Sequence, residues 1–503
     1  MTAVEGARTY RFGPLDRSGW LLGLGAAQCL GLAAGIVTAG LILQHGGPLP
    51  VALVPVLAGS ILAFGIWEGR RFHEWLPLLL RFSFLRVSRR TRWVAPLPLL
   101  TASAADDGRP PALPPFLHGL ELVDAGPVPW SPLAAGVGVV VDRRHRTVSG
   151  SVPARGRGFS LVERGDQDRS VQLWGDALAG FCTEHGQVCR LRITEWAAPG
   201  GVGDHERFLV GHAHAASHTE ARRSYEELLA TAGPAAVGHE VLVTVTVDTR
   251  RVRGASREAA PGQAAIAALL EELRLLTGRL DAAGLSVGPP LSAGDTATAL
   301  RRRLDPSNPP LLVRGGSLAE LAGLLAPRNM GPLASETGWG RIRTDGSVHR
   351  SYWVAEWPRL EVGPAWVEPL ILHAGGVRTV AIHLEPVPPS RSQRHIERDA
   401  TRLAADEEQR TRHGFRVGAR HHRARAAVAE REAELVAGYA ELEFAGFVTV
   451  SAADEDALAR SCAEYEQVAA QAGLELRALD ARHDLGLVCS LPVGRGLARR
   501  IGF

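Results

Sequence analysis

A chain of 503 residues is too long for one compact domain, and length alone suggests about three units. Hydrophobic residues make up 46%, which excludes a disordered chain, and a net charge of +3 is too small at this length to point to nucleic acid. Every basic residue is arginine; with no lysine, the chain cannot supply the lysine of a P-loop. Five scattered cysteines (Cys29, Cys182, Cys189, Cys462, Cys489) make no disulfide framework and fit reduced thiols in a cytosolic setting.

From Trp20 to Leu43 the chain runs for 24 residues without a charge, roughly 36 Å as a helix and enough to cross a hydrocarbon core of ~30 Å. A short Gly- and Pro-rich turn, Gln44 to Leu49, leads to a second uncharged run of 18 residues, Pro50 to Trp67, near the lower limit for a span. Glycines 23, 25, 31, 35 and 40 suit close helix–helix approach. The apolar core is too long for a cleaved signal peptide, and neither run has the polar face of a helix packed in a soluble core. A re-entrant hairpin is the main rival for the second run. Arg8, Arg11 and Arg17 precede the first run, Arg70 and Arg71 follow the second, and the turn carries no arginine. Both ends are therefore expected in the cytoplasm.

Arg70 to Trp93 mixes Trp75, Leu79, Phe82 and Leu85 with Arg81, Arg86, Arg89, Arg90 and Arg92. The composition predicts a helix on an anionic membrane surface, contacted by Arg70, Arg71, Arg81, Arg86, Arg89, Arg90 and Arg92. The alternative is a cytosolic helix with a solvated basic face.

A Pro-rich stretch from Pro96 to Pro132 is expected to be irregular. Strands are predicted at Val137–Val141, at Val188–Ile193 with Cys189, Leu191 and Ile193 inward against Arg190 and Arg192, at Val241–Val247 and at Val377–Leu384. Ile266, Leu269, Leu270, Leu273, Leu276 and Leu280 recur at helical spacing over about 261–283, with Gly284 placed to end the helix. The charged segment Arg391–Glu443 reads as two helices interrupted at 413–418. That is usually a solvated arm; a docking face is the sharper reading. Arginines from Arg416 to Arg425 could touch nucleic acid, but interleaved glutamates favour a plain helix, and no direct nucleic-acid binding is expected. The end of the chain follows a β-α-β pattern: Phe447–Val450, a helix faced by Leu458, Cys462, Tyr465 and Val468, then Leu474–Leu479. Ser451 with Asp454 resembles a capping box before that helix.

The fold expected is thus an integral membrane protein, with an N-terminal two-helix transmembrane hairpin followed by a cytosolic mixed α/β (α+β) portion with a helical arm. Its parts are a cytosolic tail (1–19), the hairpin (20–67), a basic juxtamembrane helix (68–95), a Pro-rich linker (96–132), an α/β domain (133–390), the arm (391–443) and a C-terminal β-α-β unit (444–503).

No catalytic centre is visible. GVG at 136–138 and GRG at 494–496 are too short for a dinucleotide fingerprint, and no GxSxG or HExxH string occurs. His212, His214 and His218 could supply imidazoles to a metal, but no companion ligands stand at the right spacing. Cys182, His185 and Cys189 lack the tight spacing of structural zinc. No cofactor or metal is expected.

The order of segments carries a resemblance. RTYRFGPLDRSGW (Arg8 to Trp20), the apolar hairpin and GRRFHEWLP (Gly69 to Pro77) together resemble the PrgI-type small membrane component of type IV secretion systems, in its actinobacterial form. VVVDRRHRTVSGSVPARG (Val139 to Gly156), the LW ending at Trp174, AEREAELVAGYAELEFAGFVTVSA (Ala429 to Ala452) and LPVGRGL (Leu491 to Leu497) resemble the N-terminal, non-ATPase portion of TraC/TrbE-type conjugation ATPases. In those enzymes a similar LPLG-like stretch shortly precedes the nucleotide-binding core; this sequence stops at Phe503. The resemblance implies a fusion of membrane anchor and recruiting domain, with the motor on a separate polypeptide. The function expected is a non-catalytic inner-membrane scaffold, oligomeric, bound to lipids, a secretion ATPase and other channel subunits. The alternative is a membrane-anchored enzyme or ligand-binding sensor with an unrecognised cytosolic site.

Overall fold

The computed structural model describes residues 12, 25–67, 70–95, 113–131, 136–156, 158–199, 219–232, 237–252, 262–307, 330–412, 414 and 416–496. Two apolar helices come first, α1 (Ala26–Gln44) and α2 (Leu49–Phe64). They pack closely because glycines stand where they meet: a Cβ at Gly35 would lie 2.6 Å from the Pro55 carbonyl oxygen, and one at Gly59 2.7 Å from that of Gly31. Only α1, over Ala27–Gln44, is long and apolar enough among the described residues to cross a bilayer. The second apolar run, expected to reach Trp67, stops being helical at Phe64; Ile66–Trp67 (β1) instead pairs with Arg70–Arg71 (β2). Helix α3 (Phe72–Val87) follows, and beyond its end Arg89, at φ 55°, turns the chain toward strand β3 (Arg92–Val94).

The remaining strands and β3 form one antiparallel sheet. They are β4 (Leu120–Asp124), β5 (Gly138–Asp142), β6 (Thr147–Arg155), β7 (Val188–Pro199), β8 (Val237–Asp248), β9 (Ser286–Val287), β10 (Ala334–Thr337), β11 (Ile342–Thr344), β12 (Ser347–Glu356), β13 (Val377–Pro386), β14 (Leu442–Ala452) and β15 (Glu475–Ala478). The helices between them are α4 (Arg164–Ala179), α5 (Thr219–Ala232), α6 (Gln263–Ala282), α7 (Ala293–Leu304), α8 (Glu368–Ile371), α9 (Pro389–Arg412), α10 (Ala419–Val436), α11 (Glu455–Gln471) and α12 (His483–Ser490).

The sheet order, β3-β10-β11-β12-β14-β13-β7-β8-β6-β5-β4, is two copies of one unit. Each copy is a three-strand meander, a fourth and fifth strand inserted in reverse order, a helix, and a short strand that returns to the third: β9 to β6 and β15 to β12. The copies meet through β7 and β13, the same strand of each, paired antiparallel. One row across the sheet reads Pro153, Leu242, Thr194, Ala381, Phe447, Trp353, so a twofold axis passes between Thr194 and Ala381. Local chemistry repeats as well. Helix α6 buries Leu269, Leu273, Leu276 and Leu280; α11 buries Leu458, Cys462, Tyr465 and Ala469 at the same spacing. Both helices end on Ala-Gly-Leu with the glycine left-handed (Gly284 φ 81°, Gly473 φ 77°), a turn that costs glycine little and other residues about 1 kcal/mol.

Helices α6 and α11 cover one face of the sheet over valine-rich cores. The other face is buried yet polar. Ser151 and Thr244 hydroxyls pair at 2.8 Å in the first copy, Ser351 and Thr449 at 2.9 Å in the second. Each copy reaches across to seal the other there. Chain leaving α7 donates from the Ser307 amide to Ser347 Oγ, and chain leaving α12 donates from the Gly494 amide to Ser149 Oγ.

Several expectations change. Leu120–Asp124, inside the expected Pro-rich linker, is a sheet strand, and Leu113, Phe116 and Leu117 beside it are buried. The boundary placed at 390 falls between β13 and β14, neighbouring strands of one sheet, and the one at 443 falls inside β14, so the α/β domain and C-terminal unit share a core. Arg192, read as a solvent-facing strand residue, is fully buried, because α12 and the chain after it cover its face; it donates to the carbonyls of Val488, Leu491 and Arg495. Helix α11 is capped by Asp454, whose side chain accepts from the Ala457 amide, while Ser451 stays in β14 against His349. The strands at Val137–Val141, Val241–Val247 and Val377–Leu384, the helix before Gly284 and the two-helix arm stand where the patterning put them.

Candidate membrane-docking site

The seven arginines singled out in the sequence surround the junction of the apolar helices with the second copy, and the structure gives them different tasks. Arg70 is buried; it donates to the Ala478 carbonyl, pairs with Asp480 at 3.4 Å and lies over the Trp75 ring at 5.4 Å. Arg81 donates to the Ala481 carbonyl and pairs with Asp484 at 2.8 Å. Arg71 donates to Gln28 Oε1 at 2.7 Å, and Arg92 pairs with Glu336 at 3.0 Å across β3 and β10. Arg86, Arg89 and Arg90 carry exposed side chains. The set is therefore no uniform basic surface: Arg70, Arg71, Arg81 and Arg92 bind within the chain.

Gln28 is the hub at the base of the helix pair. It is buried, accepts from Arg71, and donates to the Ala63 carbonyl at 2.6 Å, joining the start of α1 to the end of α2. A buried amide so satisfied stabilises its neighbours, whereas an unmet partner would cost about 1–3 kcal/mol. A lone amide in an uncharged run is the signal that could have marked it.

Trp339 forms the floor of the joint, stacked on Trp75 at 6.0 Å and meeting Phe82 edge-on at 5.3 Å. Ala481, at φ 58°, takes a left-handed conformation that L-residues avoid, held there by the hydrogen bond its N–H donates to the Trp339 carbonyl and by the one its own carbonyl accepts from Arg81. Charge is concentrated nearby. Burial first, then the Arg70 and Arg81 charges, brings Arg482 down to about 10, and burial with Arg350 and Arg70 brings His483 down to about 3. At neutral pH the joint thus holds cationic arginines against Asp480 and Asp484 with a neutral His483. No pattern in the sequence pointed to Trp339, Asp480 or Asp484.

Helix α3 is apolar on two sides. Trp75 and Leu78 are buried against the body, while Leu76, Leu79, Leu80, Phe84 and Val87 form an outward stripe at spacings of three and four. The stripe continues the exposed apolar surface of α1 and α2, where Leu30, Ile36, Val37, Val54, Leu57 and Ile61 are each more than half exposed.

Elsewhere, His349 contacts Thr344 and Ser451 and burial holds its pKa down to about 4; with no exposure it is a structural residue. Among the described residues no group of three or more His, Cys, Asp or Glu side chains could hold a metal, and His212, His214 and His218 lie outside the described residues. No protein-family model matches the chain, and no curated protein matches it.

Proposed function

We propose that the chain is an integral cell-membrane protein in which α1 and α2 are a transmembrane hairpin with both ends in the cytoplasm. Its sheet portion is a non-catalytic cytosolic scaffold that docks a separate conjugation-type secretion ATPase, as the resemblance to secretion components implies. The observation that carries the membrane reading is the exposed apolar surface. Only 17% of the α1 window is buried in the protein, and α2 and the α3 stripe extend that surface far beyond what water tolerates. Helix α2, at 16 residues, spans about 24 Å, so it needs Ile66 and local thinning of the bilayer to complete a crossing. Arg86, Arg89 and Arg90 beside the stripe suit an anionic leaflet. The scaffold reading rests on a segment order that resembles conjugation components and on a chain without lysine for a P-loop. Affinity purification of the full chain from detergent-solubilised membranes should recover the ATPase. An ATPase found only in the soluble fraction, with none on the chain, would refute the docking role.

A further inference from the structure

Phe12, from the segment before α1, lies against the second copy of the sheet unit. Its ring stacks on Trp357 at 5.1 Å between centroids, meets Trp366 edge-on at 5.3 Å and approaches Phe444 at 6.0 Å. These three come from different elements: Trp357 just after β12, Trp366 just before α8, Phe444 within β14. They also contact one another, Trp357 with Trp366 at 6.2 Å and with Phe444 at 5.1 Å, so they form a box on the body with Phe12 as its fourth ring. Such stacked and edge-on geometries are the attractive ones for aromatic pairs.

We propose that Trp357, Trp366 and Phe444 are a receptor for this chain's own N-terminal tail, with Phe12 as the anchoring side chain. The tail is long enough. Thirteen residue steps separate Phe12 from Gly25, a reach of up to ~45 Å. The box stands close to the arginine joint: β15 runs from Ala478, which Arg70 holds, to Glu475, opposite Glu356 and one residue from Trp357. That is about 10 Å of strand. The chain is therefore strapped to its body on both sides of the apolar pair, by Phe12 before α1 and by Arg70 and Arg81 after α2. A tail and a body in contact lie on the same side of a bilayer, so the helices between them cross it an even number of times. This consequence rests on the reading of α1 and α2 as spans; the receptor does not.

The test uses the full chain in sealed inverted vesicles. Trypsin should cut the tail at Arg8, Arg11 and Arg17 about ten times faster in Phe12→Ala and in Trp366→Ala than in the parent, with no further gain in the double variant and protection restored by Phe12→Trp. Phe12→Ala alters only the tail, so an unchanged rate there overturns the receptor, as do additive effects. Protection that disappears when single copies are placed in nanodiscs overturns the intramolecular strap and assigns the box to a neighbour's tail. An impermeant maleimide separates this proposal from the spanning reading. Thr9→Cys and Glu220→Cys should label from the same face, and His45→Cys only after the vesicles are opened. Labelling of the first two from opposite faces overturns the strap; labelling of all three from one face leaves the strap and overturns the spans.

Discussion

The two copies of the sheet unit share a frame and differ in what is attached to it. In the first copy, the fourth and fifth strands are connected across residues 200–236, a stretch that includes α5; in the second, the arm α9–α10 occupies the longer interval between β13 and β14. Among the described residues, the second copy carries the arginine joint, the aromatic box and, at its edge, β3 from the chain that follows α3, and the first copy carries none of these. A duplicated frame kept by matched cores, with attachment confined to one copy, separates what holds the fold from what positions it.

The equivalence of the cores is the easiest part to break. Leu276→Ala and Tyr465→Ala remove matched buried side chains, and each should cost about 3–4 kcal/mol in urea unfolding. A large loss in one and none in the other would end the claim that the copies carry matched cores. Attachment predicts asymmetry instead. Arg70→Ala removes the Arg70–Asp480 pair and the bond to the Ala478 carbonyl, should cost about 3 kcal/mol, and should raise hydrogen exchange over 475–484 while leaving the first copy's 286–295 unchanged. Equal exchange changes in both segments would contradict it.

Acid should also distinguish the copies, because His349 stands where the first copy has Ser149. The folded state keeps His349 neutral down to about pH 4, whereas the unfolded chain protonates it below about 6.5. Its stabilising contribution is complete above that value and lost as pH falls toward 4, at roughly 1.4 kcal/mol for each unit. Buried His383 and His483 add their own losses. His349→Ser should therefore lower the pH slope of the urea midpoint by one proton between pH 6.5 and 4.5; an unchanged slope would show that His349 titrates normally. The smallest effect is the most symmetric. Gly284→Ala and Gly473→Ala should each cost about 1 kcal/mol, since both glycines are left-handed after the same helix.

Much of this was legible locally. Leucines at helical spacing announced α6, alternating valines announced β8, and charge density announced the arm. The duplication was not, because identical pairs such as Val148 with Val348 and Ser151 with Ser351 stand among pairs that share only residue class, such as Leu242 with Phe447, Leu273 with Cys462 and Leu276 with Tyr465. Packing conserves volume and polarity far more tightly than identity. Prolines concealed β4, whose Leu120 and Leu122 are buried under α7 and α12. Arg192 misled because its cover comes from residues about 300 positions away, beyond any periodicity argument. The arginine cluster was visible as a cluster, but Arg70 finds its carbonyl 408 positions along the chain. Composition could mark the site and could not assign its members.

The central claim is that α1 and α2 anchor the body in a bilayer. Alkaline carbonate extraction of membranes containing the full chain tests it most directly. The account predicts that the chain stays in the pellet and is released when residues 26–64 are deleted; release of the intact chain into the supernatant would contradict it.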